Sequence, residues 1–240
     1  MDKSSFTRHI SEQYNEELRN ILTGVMEMGG LVERQLADAT TALVEADSGL
    51  GEKVVTSDYQ INRLEVQLDE TCTHVLARRQ PTASDLRLVL AVIKTITDLE
   101  RMGDEAERIG RMSLRLQEAD RRRSPMAELE NMGNHVKTMV RGALDAFARM
   151  DVEAAVRVAQ EDIKADAQYE LIMRTLMKQM EEQPSFVVPS IDIIWCARSL
   201  ERIGDRACNI CEYVVYFVKG KDVRHTDFQT MAAQATGDNG

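Results

Sequence analysis

The feature that most constrains this chain is that its first half is written again in its second. A shift of 104 residues lays Met28-Gly29 on Met132-Gly133, Val32 on Val136, Ala39 on Ala143, Ala42 on Ala146, Asp47 on Asp151 and Asp58 on Asp162. After slightly shorter spacing, Leu99-Glu100-Arg101-Met102-Gly103-Asp104 falls on Leu200-Glu201-Arg202-Ile203-Gly204-Asp205. The breaks repeat as well, Gln80-Pro81 answering Gln183-Pro184. An ordered series of matches marks a duplicated unit rather than biased composition. Whatever one half folds into, the other must fold into too.

That unit is helical. Apolar residues recur at helical period from about Phe6 to Asp47, where Ser48-Gly49-Leu50-Gly51 interrupts them, and again from about Lys53 to Arg79. A third run starts near Ser84-Asp85 and reaches about Glu118, followed by the polar junction Arg121-Arg122-Arg123-Ser124-Pro125. The second half repeats the plan over about Met126–Arg149, Val152–Glu182 and, after Pro189-Ser190, up to Lys219-Gly220. Four prolines and thirteen glycines are too few for the turns of a β-sandwich. The expectation is an all-α fold of two tandem three-helix bundles. They span residues 6–120 and 125–220, with a fraying, disordered tail over 221–240.

Charge removes several function classes. Thirty basic residues against forty acidic ones leave a net charge of −10, an adverse field for nucleic acid or anionic lipid. No apolar window approaches the roughly 18 residues of a membrane helix, and Met1-Asp2-Lys3-Ser4-Ser5 has no signal core. Cys72, Cys196, Cys208 and Cys211 include one C-x-x-C without a second pair, read as small packing residues in a reduced, cytoplasmic chain. An enzyme is not expected. None of His9, His74, His135 and His225 has the glutamate three positions earlier that a di-iron bundle needs. No nucleophile motif or phosphate-cradling glycine loop is present either.

The acids are placed unusually. On the third helix Val89, Val92, Ile93, Ile96 and Leu99 define the apolar stripe. At about 100° per residue, Glu100 and Asp104 fall on its shoulder, with Lys94, Asp98 and Arg101 opposite, where solvated charges belong. Glu201 and Asp205 stand the same way on the sixth helix. On the second helix Asp58, Asn62, Glu65 and Asp69 share one shoulder; on the fifth, Asp162, Asp166 and Glu170 follow at i+4 steps. Carboxylates converging between helices repel and resist desolvation. A hard or borderline cation such as magnesium, manganese or iron relieves this; so do raised pKa values, or i+4 pairing with Arg63, Arg101, Arg108 or Arg206. Gly103 and Gly204, inside helical runs, point to a close approach by a neighbouring helix.

At these residues the chain resembles the PhoU family. The resemblance rests on Gln80-Pro81-x-x-x-Asp85-Leu86-Arg87, on Asp98-Leu99-Glu100-Arg101-Met102-Gly103-Asp104-x-Ala106 and on Ser199-Leu200-Glu201-Arg202-Ile203-Gly204-Asp205-x-Ala207-x-Asn209-Ile210. It implies a cytoplasmic, homodimeric negative regulator of phosphate uptake and of the phosphate-starvation response. Its implied partners are the ATPase subunits of a phosphate ABC transporter and a membrane sensor histidine kinase, through which alone it meets the membrane. It also implies metal ions, divalent or trivalent (iron, manganese, magnesium or zinc), on acidic motifs. One site would use Glu100 and Asp104 with Asp58 and position 62, the other Glu201 and Asp205 with Asp162 and Asp166. Asn62 stands where an acid is expected, which weakens the first site. A carboxylate-ligated metalloenzyme and a metal-independent helical scaffold are the alternatives.

Overall fold

The computed structural model describes residues 3–236 apart from positions 80, 82, 117, 123, 225 and 227; Gln80, Arg123, His225, the His9 side chain and the last four residues therefore lie outside the described residues. The helices are α1 (Lys3–Glu45), α2 (Ser48–Ser57), α3 (Tyr59–Arg79), α4 (Ala83–Arg115), the short α5 (Glu118–Arg121), α6 (Met126–Arg149), α7 (Val152–Gln160), α8 (Asp162–Glu182), α9 (Val187–Lys219) and α10 (Phe228–Thr236). No strand occurs among the described residues. Helices α1, α4, α6 and α9 form the central layer, with α4 against α9 as the most extensive pairing and α1 against α6 beside it. The α2–α3 pair covers α1 and α4, and the α7–α8 pair covers α6 and α9. Two three-helix bundles thus share a four-helix seam.

The duplication is visible atom by atom in that seam. A Cβ on Gly29 would lie 2.6 Å from Leu144 Cδ1, and one on Gly133 would lie 2.6 Å from Thr40 Cγ2. Gly133 and Leu144 are the 104-residue counterparts of Gly29 and Thr40. The two glycines therefore let α1 and α6 approach at reciprocal points of a pseudo-two-fold axis. The paired Met-Gly steps mark that crossing, and Met28 and Met132 beside them are fully buried.

Both halves also turn alike. Helix α1 stops at Ala46 and α6 at Met150, each in the left-handed region (φ 62° and 56°) that non-glycine residues seldom adopt. The following aspartate caps the next helix. Asp47 Oδ1 accepts from the Leu50 N–H at 2.9 Å, and Asp151 Oδ1 from the Ala154 N–H at 2.8 Å. The first break is thus at Ala46-Asp47, and Ser48-Gly49-Leu50-Gly51 is the opening turn of α2 rather than a gap. Helix α9 likewise starts before Pro189, which sits in its first turn where a missing N–H leaves no bond unmade.

Three other expectations change. The second and fifth runs are each two helices, stepped at Asp58 and at Glu161-Asp162. Neither step holds a proline or glycine. The tail is not without structure: α10 packs on α7 and α9, burying Met231 and Ala235. Its apolar residues recur at helical spacing, too briefly to stand out against the polar composition. Finally, Arg121 of the polar junction is buried. Its guanidinium donates to the Ala42, Leu43 and Ser113 carbonyls, closing the ends of α1 and α4.

Candidate functional site

Each bundle has an acidic seam where its stepped helix pair meets its long helix. In the first, Asp58 at the α2–α3 step is 7% exposed. The Gln35 Nε2 amide donates to its Oδ1 at 3.0 Å and the Asn62 Nδ2 amide to its Oδ2 at 3.0 Å. Glu100 is half-buried and Asp104 exposed on α4. Partial burial, then Asp104, Glu65 and Asp58, raise the Glu100 carboxyl above its usual range. Burial and Asp58 do the same for Asp104. Glu65 is raised mainly by desolvation, although the Thr97 hydroxyl at 3.5 Å opposes it.

In the second seam Asp162, at the α7–α8 step, and Glu201 are half-buried, while Asp166 and Asp205 are exposed. Asp162 is pushed up to about 6, first by desolvation and then by Asp205 and Asp166, with the Cys208 thiol pulling the other way. Glu201 and Asp205 are raised too, by desolvation and then by Asp205 and Asp166 respectively. The Asp162 Oδ1 and Glu201 Oε2 atoms are buried without a hydrogen-bond partner.

Gly103 and Gly204 make room for these acids rather than for a helix backbone. A Cβ on Gly103 would lie 3.1 Å from Ile61 Cδ1, 3.2 Å from Asp58 Oδ1 and 3.3 Å from Gln35 Oε1. At Gly204 the nearest atoms are Asp162 Oδ1 at 3.5 Å and Met139 Cε at 3.7 Å. Among the described residues the carboxylate–arginine pairs run differently from the expected i+4 ones. Glu201 pairs with Arg198, while Arg108 and Arg202 meet Glu105 at 3.3 and 3.0 Å and Arg206 meets Asp98 at 3.2 Å.

Asp98 is the clearest correction. It is 4% exposed, enclosed between α4 and α9 rather than solvated. It accepts from Tyr213 Oη at 2.8 Å, Arg206 Nη1 at 3.2 Å and Asn209 Nδ2 at 3.4 Å. Lys94 lies over the Tyr216 and Tyr213 rings at 5.2 and 5.5 Å. Glu105, also buried, accepts from Ser199 Oγ at 2.7 Å. Asp98 and Glu105 correspond to Ser199 and Arg206 in the second copy, so the polar contacts obey the same pseudo-two-fold axis as the glycines. A signal was present: Thr95, Asp98, Met102 and Glu105 lie at i, i+3, i+7 and i+10, a second face of one helix. Gln35 carried one as well, lying on the Val25, Met28, Val32 and Ala39 stripe of α1.

The fit of a metal ion differs between the seams. In the first, both Asp58 oxygens are taken by amide donors. In the second, carboxylate lone pairs are unused, and oxygen donors of this kind suit hard or borderline ions. Among the described residues, no three His, Cys, Asp or Glu side chains stand close enough to hold an ion as they are. A cation at the second seam would have to draw Asp166 or Asp205 inward. The cysteines are free, with Cys211 buried and Cys208 donating toward the Ala159 carbonyl at 4.0 Å.

Two segments of the chain, residues 25–112 and 129–214, each match the PhoU domain family. The chain belongs to the PhoU family. Among its relatives, the phosphate-specific transport system accessory protein PhoU of Serratia marcescens is 50% identical over 226 residues, 94% of this chain and 92% of that one. The PhoU homolog of Pseudomonas putida is 48% identical over 237 residues, 99% and 93% of the two chains. The crystal structure of PhoU from Pseudomonas aeruginosa superposes with a TM-score of 0.82 at 46% identity, covering 87% of this chain and all of that one (100%). PhoU from Streptococcus pneumoniae gives the same TM-score, 0.82, at 29% identity, covering 88% and 99%. The tandem PhoU architecture is therefore retained where most of the sequence has changed. No helix among the described residues of this PhoU chain is long and apolar enough to cross a membrane.

Proposed function

We infer that this chain is an accessory protein of a phosphate transport system, acting as a negative regulator of phosphate uptake and of the phosphate-starvation response. The observation that carries this reading is kinship along nearly the whole chain, 50% over 226 residues, to a protein named as an accessory protein of the phosphate-specific transport system. Regulation by such a protein requires only that it bind one signalling state of its partners more tightly than another. The partners are the ATPase subunits of a phosphate ABC transporter and a membrane sensor histidine kinase, with the chain itself a cytoplasmic homodimer that reaches the membrane through them. A non-enzymatic role agrees with relatives named as accessory proteins. Capture of the tagged chain from membranes grown in high and low phosphate tests it. Transporter and kinase recovered in a phosphate-dependent ratio support the reading; recovery of neither overturns it.

The second acidic seam is the cation-responsive element of this reading. An ion held by Asp162, Asp166, Glu201 and Asp205 would screen their mutual repulsion and draw α8 toward α9, fixing the helical faces offered to partners. What supports this is the pair of unused, buried carboxylate oxygens there. Glu201→Ala/Asp205→Ala should weaken manganese binding and impair repression together. Unchanged metal content and unchanged repression in that variant would remove the cation from the mechanism.

A further inference from the structure

We propose that the first seam, unlike the second, is closed to cations by a carboxamide lock formed by Gln35 and Asn62 on Asp58. The inference rests on the reading of the seam acids as cation ligands, and says which repeat can use them. Asp58 is the innermost acid of its seam, and a cation between α3 and α4 would need its lone pairs. Both oxygens already accept amide N–H groups at 3.0 Å. These donors satisfy the charge without an ion and present positive hydrogens where an ion would sit.

The amide orientation is fixed by more than Asp58. Gln35 Nε2 also lies 3.5 Å from the Val54 carbonyl, so turning the amide over would set its oxygen against two acceptors. Gln35 is 5% exposed and cannot swing out to solvent. Gly103 walls the lock from the α4 side, leaving no room even for a methyl group without displacing Ile61, Asp58 or Gln35. The enclosure is tight, and it is built from three different helices.

The second repeat lacks both parts of the lock. The counterpart of Gln35 is Met139, whose Cε faces the Gly204 position, and that of Asn62 is Asp166. Among the described residues no side-chain amide reaches Asp162, and its Oδ1 is left without a partner. Two side-chain differences thus separate a seam whose inner carboxylate is held by amide donors, its orphaned atoms being the neutral Gln35 Oε1 and Asn62 Oδ1, from one whose orphaned atoms are the carboxylate oxygens Asp162 Oδ1 and Glu201 Oε2. Cation response is confined to the second repeat.

The experiment is manganese(II) titration of the full chain, with free ion followed by electron paramagnetic resonance and helix content by circular dichroism. Wild type should show one class of sites, lost in Glu201→Ala/Asp205→Ala and unchanged in Glu100→Ala/Asp104→Ala. Opening the lock with Gln35→Met/Asn62→Asp, or with Asn62→Asp alone at its half-exposed position if the double variant loses helix, should tighten binding at the first seam about tenfold or more. Loss of half the wild-type binding in Glu100→Ala/Asp104→Ala would overturn the lock while leaving the cation reading intact. If wild type binds nothing, the cation reading of the second seam falls. The lock then stands only if the opened variant gains a site, and fails if it does not.

Discussion

Asp162 shows how much a single residue depends on its neighbours. Its carboxyl is raised from 3.8 to about 6, chiefly by desolvation and then by Asp205 and Asp166. Between those two values the folded chain holds a proton that the unfolded chain has released. Stability from this group is therefore greatest at low pH and is lost as pH rises through about 6. Metal-free Asp162→Asn should consequently be more stable than wild type at neutral pH, by on the order of 1 kcal/mol. Urea melts from pH 4 to pH 7 check it: the wild-type decline should flatten in the variant, and parallel curves would refute the assignment. The helical glycines give a second test. Gly204→Ala enters ordinary contact space, so helix propensity should stabilise it by about 0.5–1 kcal/mol. Gly103→Ala meets three atoms between 3.1 and 3.3 Å and should instead destabilise, by roughly 1 kcal/mol. Thermal melts of the pair should show shifts of opposite sign.

At the scale of elements, α4 and α9 are held in register by polar groups that neither three-helix unit could satisfy alone. Asp98 and Glu105 on α4 face Arg206, Asn209, Tyr213, Ser199 and Arg202 on α9. Apolar helices slide with little penalty, whereas a one-turn slip here would bury an unpaired carboxylate. Asp98→Ala leaves the Tyr213 hydroxyl and the Arg206 guanidinium without their acceptor. It should cost about 2–4 kcal/mol of unfolding free energy in urea titration. A change below about 0.5 kcal/mol would mean that apolar packing alone sets the register. The acids of the outer seams differ in kind: they line the contact between each long helix and its stepped partner, where opening is cheaper.

For the whole molecule, the last helix ties the end of the chain to the second repeat. Met231 and Ala235 of α10 are 5% and 6% exposed, and Val223 before it is 1% exposed. Ending the chain after Gly220 uncovers these contacts and the surface of α7 beneath them. The loss should be about 2–3 kcal/mol, read as a melting temperature lower by several degrees. Because α7 leads directly into Asp162, the same truncation should also loosen the second seam more than the first. Hydrogen exchange resolves this, with faster exchange expected in α7 and α8 and little change in α2 and α3.

Much of this was legible in one dimension. The all-α class, the duplication and the acidic shoulders follow from helical period and from residue types whose preferences are local. The steps at Asp58 and Glu161-Asp162, the burial of Asp98 and the amides on Asp58 were not legible. Periodicity measures an angle around one helix and finds the face turned to the nearest neighbour. It does not say that a second helix covers the opposite face, as α9 covers Asp98, or that Gln35 from α1 reaches a carboxylate 23 residues away. The duplicated sequence by itself determined two like halves and the substitutions, Gln35 against Met139 and Asn62 against Asp166, that separate them. Only the packing decided what those substitutions do, because desolvation and hydrogen bonding depend on which side chains enclose a carboxylate, and those come from different helices.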